Sequence, residues 1–123
     1  MCALESCQDA LMSAEIVQLS DGFSIAFHDF GDPAGRPVVA LHDVPTGGTL
    51  FRSRDRQVKE RGLRLVAPNR PGIGASTQIQ SCRVVDEARR ICELVGVLGL
   101  GEWSVFGISG GGPYATACAA IAD

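Results

Sequence analysis

The chain alternates apolar and polar residues near its start, then turns to longer apolar runs and stretches of helical spacing. Ile16 to Leu19 and Phe23-Ser24-Ile25-Ala26-Phe27 flank Ser20-Asp21-Gly22, the pattern of a β-hairpin. Val38-Val39-Ala40-Leu41 is a continuous apolar run between the turn cluster 31–37 and His42, as expected of a strand buried on both faces. A polar, amphipathic stretch from about Leu50 to Arg61 stops at Gly62 as a helix would. Leu63-Arg64-Leu65-Val66-Ala67 reads as a further strand, closed by Pro68. Beyond the loop 69–76, apolar residues recur at helical spacing from Val84 to Leu98, where Gly99 and Gly101 end the helix. A strand-like run then enters Gly107, and a small-residue helical stretch leaves toward Asp123. From residue 37 onward, strand, helix, strand, helix, strand and helix predict a parallel sheet with right-handed crossovers. The expected class is α/β: a mostly parallel sheet of about five strands with an N-terminal antiparallel hairpin and flanking helices.

Composition narrows the partners more than the chemistry. A chain of 123 residues points to one domain, here 14–123 behind a polar leader, 1–13. The net charge of -3 offers no basic face, so nucleic acid is not expected as a partner. No apolar run approaches the roughly 18 residues of a membrane span. The leader has acids and no basic residue, unlike a signal peptide, so a cytoplasmic setting is expected and no membrane association. Cys2, Cys7, Cys82, Cys92 and Cys118 are odd in number and lack a C-x-x-C pair, which suits free thiols in a reducing compartment. Neither a metal site nor a cysteine nucleophile is expected from them.

The chemistry concentrates at Val105-Phe106-Gly107-Ile108-Ser109-Gly110-Gly111-Gly112-Pro113-Tyr114. Ser109 lies in G-x-S-x-G spacing between a strand and a helix, the nucleophile-elbow pattern. A serine on so sharp a turn requires a strained backbone, and large residues at 107 and 111 would collide with the flanking chain. The same turn aims the first N–H groups of the following helix at whatever Ser109 attacks, so Gly110 can donate to a developing oxyanion. Phosphate binding by the glycines is the competing reading. It fails on spacing: G-x-G-x-x-G is absent and no lysine follows as in a P-loop.

Three segments, in order, resemble the α/β-hydrolase fold in its large esterase, aminopeptidase and lyase-like branch. They are Leu41-His42-Asp43-Val44-Pro45, similar to the H-G-x-P loop after the third strand; Pro68 to Ser76, similar to the D-x-P-G-x-G-x-S loop after the fourth; and the elbow itself. The resemblance runs from about Gly22 to the last residue and implies that the loop after Leu41 lies beside Ser109. It implies Ser109 as nucleophile, the N–H groups of Val44 and Gly110 as oxyanion hole, and His42 as a residue supporting the loop. A His42 acting as substitute base is the alternative, and would require hydrogen bonds both to the serine and to an orienting partner. No cofactor or metal is implied, and the partner is a small-molecule substrate.

The chain departs from the family at Asp43 and Thr46, where glycines are usual, and at Asn69, where aspartate is usual. A carboxylate at 43 would oppose an oxyanion unless it finds a donor. In this fold the acid and the histidine follow the serine, and the chain has neither a later histidine nor the length to hold the remaining strands. The expectation is therefore the N-terminal half of a serine-type hydrolase of ester, amide or similar bonds, inactive on its own. The alternative is a non-catalytic remnant or interaction module that keeps the elbow. Without later strands, the strand entering Gly107 becomes an exposed edge that invites self-association.

Overall fold

The computed structural model describes residues 14–43, 46–80 and 82–122, so the leader 1–13, Val44, Pro45, Ser81 and Asp123 lie outside the described residues. Strand β1 (Glu15–Gln18) pairs antiparallel with β2 (Ser24–Gly31), Ile16 opposite Ala26 and Val17 opposite Ile25. The turn forms around Gly22, whose positive φ of 86° suits glycine, and the Asp21 carboxylate accepts from Phe23 N–H at 2.9 Å. β3 (Arg36–Leu41), β4 (Leu63–Pro68) and β5 (Ser104–Gly107) are mutually parallel, as their alternation with helices predicts. The hairpin joins them through antiparallel pairing of β2 with β4, giving a mixed sheet in the order β1-β2-β4-β3-β5. Antiparallel pairing thus holds the hairpin end and parallel pairing the end that carries Ser109.

Period-two alternation sends successive side chains to opposite faces, and both faces are covered. Val39, Leu41, Val66, Ile25 and Phe27 meet α2 (Val84–Leu98) and α3 (Gly112–Ile121) through Ala88, Ile91, Leu94 and Cys118. On the other face Phe30, Ala40, Leu65 and Ala67 meet Phe51, with Val58 against them. The buried set of α2 recurs at Ala88, Ile91, Leu94 and Val95, one helical stripe. Its end is a glycine cap: Gly99 has φ 63°, Leu100 N–H reaches Val95 O at 3.3 Å, and Leu100 is buried.

The expected single helix over 50–61 is two pieces, a 3₁₀ segment over Gly48–Arg54 and a short helix α1 over Asp55–Glu60. The tighter winding seats Phe51 on the sheet while leaving Leu50 exposed, and it delivers the Asp55 carboxylate to Gly31 N–H at 2.6 Å. No α1 residue is buried, so propensity alone has little to hold a longer helix there. At the far side of the sheet, β5 pairs only with β3 among the described strands. Phe106 and Ile108 are 39% and 40% exposed along that edge. Among the described residues no helix is long and apolar enough to cross a membrane.

Candidate active site

Ser109 has φ +49°, the left-handed region, and is the one non-glycine residue there among the described residues. L-residues occupy that region at a cost of about 1–3 kcal/mol, so the surroundings must enforce it. They do so by close backbone approach on both sides. A Cβ at Gly107 would overlap the Gly111 carbonyl and stand 2.7 Å from Gly112 N. One at Gly111 would overlap the Leu41 carbonyl and stand 2.9 Å from His42 O. Ile108 N–H donates to Leu41 O at 3.0 Å, which extends the β3–β5 ladder one step and seats the turn on the end of β3. Ser109 to Gly111 then wind as a 3₁₀ turn into α3, leaving the serine exposed. Gly110 occupies the start of this turn, where N–H groups have no preceding carbonyl of their own helix.

The structure brings His42 beside this turn. Its imidazole is buried; Nε2 accepts from Arg70 N–H at 3.2 Å and Nδ1 lies 2.8 Å from Asp43 O. A backbone N–H can only donate, so Nε2 is unprotonated and the Nδ1–H donates to Asp43 O. Burial pushes the imidazole below its ordinary value, against the Asp43 carbonyl, which favours a proton on Nδ1, and with the Arg70 charge. Both ring nitrogens are thus committed to the loop. Neither nitrogen is left without a partner.

Arg70 completes that attachment. It is 7% exposed, its Nη1 donates to the His42 carbonyl, and its guanidinium lies 4.9 Å from the centre of the Tyr114 ring on α3. One side chain therefore ties the loop after β3 to the helix that leaves Ser109. The loop over 69–76 closes on itself and on β2. Ser76 Oγ donates to Asn69 O at 2.7 Å and accepts from Ala26 N–H at 2.9 Å, while Thr77 Oγ1 accepts from Ser24 N–H at 2.8 Å. These hydroxyls satisfy β2 donors beyond the end of β4. Asn69 Oδ1 accepts from Gly48 N–H at 2.6 Å, a buried bond needing an oxygen and no charge.

Asp43 and Thr46, the two departures from glycine, bond to each other. Thr46 Oγ1 lies 2.8 Å from Asp43 Oδ1 and 3.0 Å from Asp43 O. The carboxylate thus has a donor, and Asp43 is not at positive φ. Val44, the expected second oxyanion donor, lies outside the described residues. An open hollow of about 880 Å³ sits at the other end of the parallel strands, lined by Arg36, Leu63, Trp103, Ser104 and Ala122. Arg36, Leu63 and Ser104 begin β3, β4 and β5, whereas Ser109 follows the end of β5, so the hollow is separate from the serine. Among the described residues no group of three or more histidine, cysteine or acidic side chains is placed to hold a metal ion.

A serine in a left-handed turn between a parallel strand and a helix, with a histidine loop beside it, defines the elbow class of α/β domains. No protein-family model matches the chain. It is 34% identical over 107 residues to a proline iminopeptidase of Xanthomonas citri, covering 85% of this chain and 34% of that protein. Among solved structures it is similar to an esterase from Exiguobacterium antarcticum (TM-score 0.77, 28% identity, 87% of this chain and 40% of that one). It is also similar to a thermophilic esterase from Thermogutta terrifontis (TM-score 0.75, 26% identity, 88% and 40%). The chain carries part of the α/β-hydrolase fold and spans about a third of the length of this curated relative.

Proposed function

We propose that these residues carry the nucleophile of a serine-type hydrolase acting on ester, amide or similar bonds. Ser109 attacks the carbonyl, and the N–H groups of Gly110 and Val44 receive the charge on its oxygen. An acid–histidine pair from polypeptide outside these 123 residues takes and returns the proton. The left-handed backbone of an exposed serine at the end of β5 is the observation that carries this reading. The names of the relatives, esterases and an iminopeptidase, support the bond classes.

With His42 engaged on both nitrogens, and His28, the other histidine, buried in β2 with β4 and β3 between it and β5, residues 1–123 alone lack a base for Ser109. Hydrolysis of a p-nitrophenyl ester by this chain should equal that of its Ser109→Ala variant. In a polypeptide that supplies the acid and histidine, Ser109→Ala should lower turnover by at least about 1000-fold. Serine-dependent turnover at ordinary esterase rates by the chain alone would contradict the assignment of His42. Serine-independent turnover by the longer polypeptide would contradict the nucleophile.

The β5 edge supports self-association of the isolated chain, since Phe106 and Ile108 stand exposed beside a strand with one partner among the described strands. Light scattering should find dimers or larger species, shifting to monomer in Phe106→Lys. A monomeric parent chain would count against this.

A further inference from the structure

At the start of α2, a thiol, a carboxylate and a guanidinium meet. Cys82 precedes α2 by two residues and is half-buried; Glu87 and Arg90 stand on the first turns of that helix. Arg90 Nη1 lies 3.4 Å from Cys82 Sγ and 3.5 Å from Glu87 Oε2. Cys82 Sγ lies 3.9 Å from Glu87 Oε2 and 3.4 Å from Arg83 O. Arg90 is itself held in place, its Nε 3.1 Å from Asp21 Oδ2 and its plane 4.6 Å from the Phe23 ring centre.

Glu87 is the anomaly in this group. Its side chain is 1% exposed, it sits on the apolar stripe of α2, and Oε1 has no hydrogen-bond partner among the described residues. A buried, half-satisfied carboxylate costs free energy that an apolar residue at the same position would not. The carboxylate's other oxygen faces the cysteine.

We propose that Cys82 is a peroxide-reactive thiol for which Glu87 accepts the proton and Arg90 steadies the charge growing on sulfur. The sulfur attacks one oxygen of hydrogen peroxide, the S–O bond forms and the O–O bond breaks. The thiol proton passes to Glu87 and on to the departing oxygen. Cysteine is oxidised to sulfenic acid and the peroxide is reduced to water, with no further reactant.

The chemistry needs an acceptor because this thiol does not ionise readily. Burial and then the Glu87 charge push Cys82 up from its ordinary value, with Asp86 adding and Arg90 opposing. Burial also pushes Glu87 up, which makes it a stronger proton acceptor, with Arg90 and Arg70 opposing and Asp21 adding. Cys92 and Cys118 are internal controls. Burial raises both, Cys118 to about 12 with Cys92 and the Glu87 charge adding, and Cys118 Sγ lies 3.9 Å from the Ala88 carbonyl.

The test is trapping of sulfenic acid with dimedone after brief exposure of the 123-residue chain to hydrogen peroxide, followed by mass mapping of each cysteine. Cys82 should react about tenfold faster than Cys92, and Glu87→Gln should slow Cys82 by about tenfold. The variant discriminates sharply. If Glu87 only repels the thiolate, removing its charge speeds the reaction, and that result overturns the proposal, as does equal labelling of Cys82 and Cys92. Should Glu87→Gln fail to fold, the pH profile of the parent chain decides. Proton transfer to Glu87 gives a rate that levels off once Glu87 is ionised and stays flat until the thiol itself ionises, whereas reaction through free thiolate alone rises about tenfold per pH unit with no plateau below the thiol's ionisation and refutes the role of Glu87.

Discussion

Gly107→Ala should destabilise the chain by about 3 kcal/mol or more in urea unfolding, a large part of the 5–15 kcal/mol typical of a domain. The new methyl would overlap the Gly111 carbonyl and crowd Gly112 N, and backbone atoms on both sides of one tight turn cannot both withdraw. Gly111→Ala should act similarly, because its methyl would enter the backbone of Leu41 and His42 at the end of β3. Gly112→Ala is the control within the same glycine triplet. It has a helical φ of -57° and nothing within 4 Å of the added carbon, so alanine should be neutral or stabilise by up to about 1 kcal/mol through helix propensity. Equal effects at the three positions would mean that the glycines serve general flexibility and that the close approaches are unimportant.

Arg70→Met should cost about 3 kcal/mol by the same measurement. The substitution keeps much of the side-chain volume and removes the donor to the His42 carbonyl, leaving a buried acceptor without that partner at about 1–3 kcal/mol. Loss of the guanidinium over Tyr114 adds about 0.5–2 kcal/mol. Arg70→Lys keeps the charge and lacks the planar fork that serves two partners at once, so it should recover only part of the loss. A cost under about 0.5 kcal/mol for Arg70→Met would show that the tie between the His42 loop and α3 carries no weight.

Much of this architecture is legible because each element is announced by local physics. The bounds of α2 follow from its apolar spacing and from Gly99, whose left-handed cap ends the helix where the spacing ends. The elbow follows from small residues at 107 and 111, a steric requirement written directly in residue type. The loop after β3 lies beside Ser109 as the resemblance implies, because β5 pairs with β3. What resists reading is contact between segments far apart in sequence. Nothing local to Arg70 announces Tyr114, and nothing in the periodicity of α2 sets Glu87, a charged residue on a buried face, apart from the partly exposed Asp86 beside it. The 3₁₀ winding over Gly48–Arg54 depends on the sheet beneath Phe51, which a polar pattern over 50–61 does not encode. Asp43 and Thr46 were open to reading as a pair: two polar residues three apart, both where glycine is usual, can bond each other.

Ser109→Gly measures the central claim most directly, because it asks whether the backbone at the serine is strained. Glycine adopts φ +49° without the Cβ penalty, so the variant should be more stable than the parent by about 1 kcal/mol in urea unfolding. A serine in an ordinary strand or helix would instead lose roughly 0.5–1 kcal/mol on the same change. That loss would contradict a nucleophile held at a forced turn.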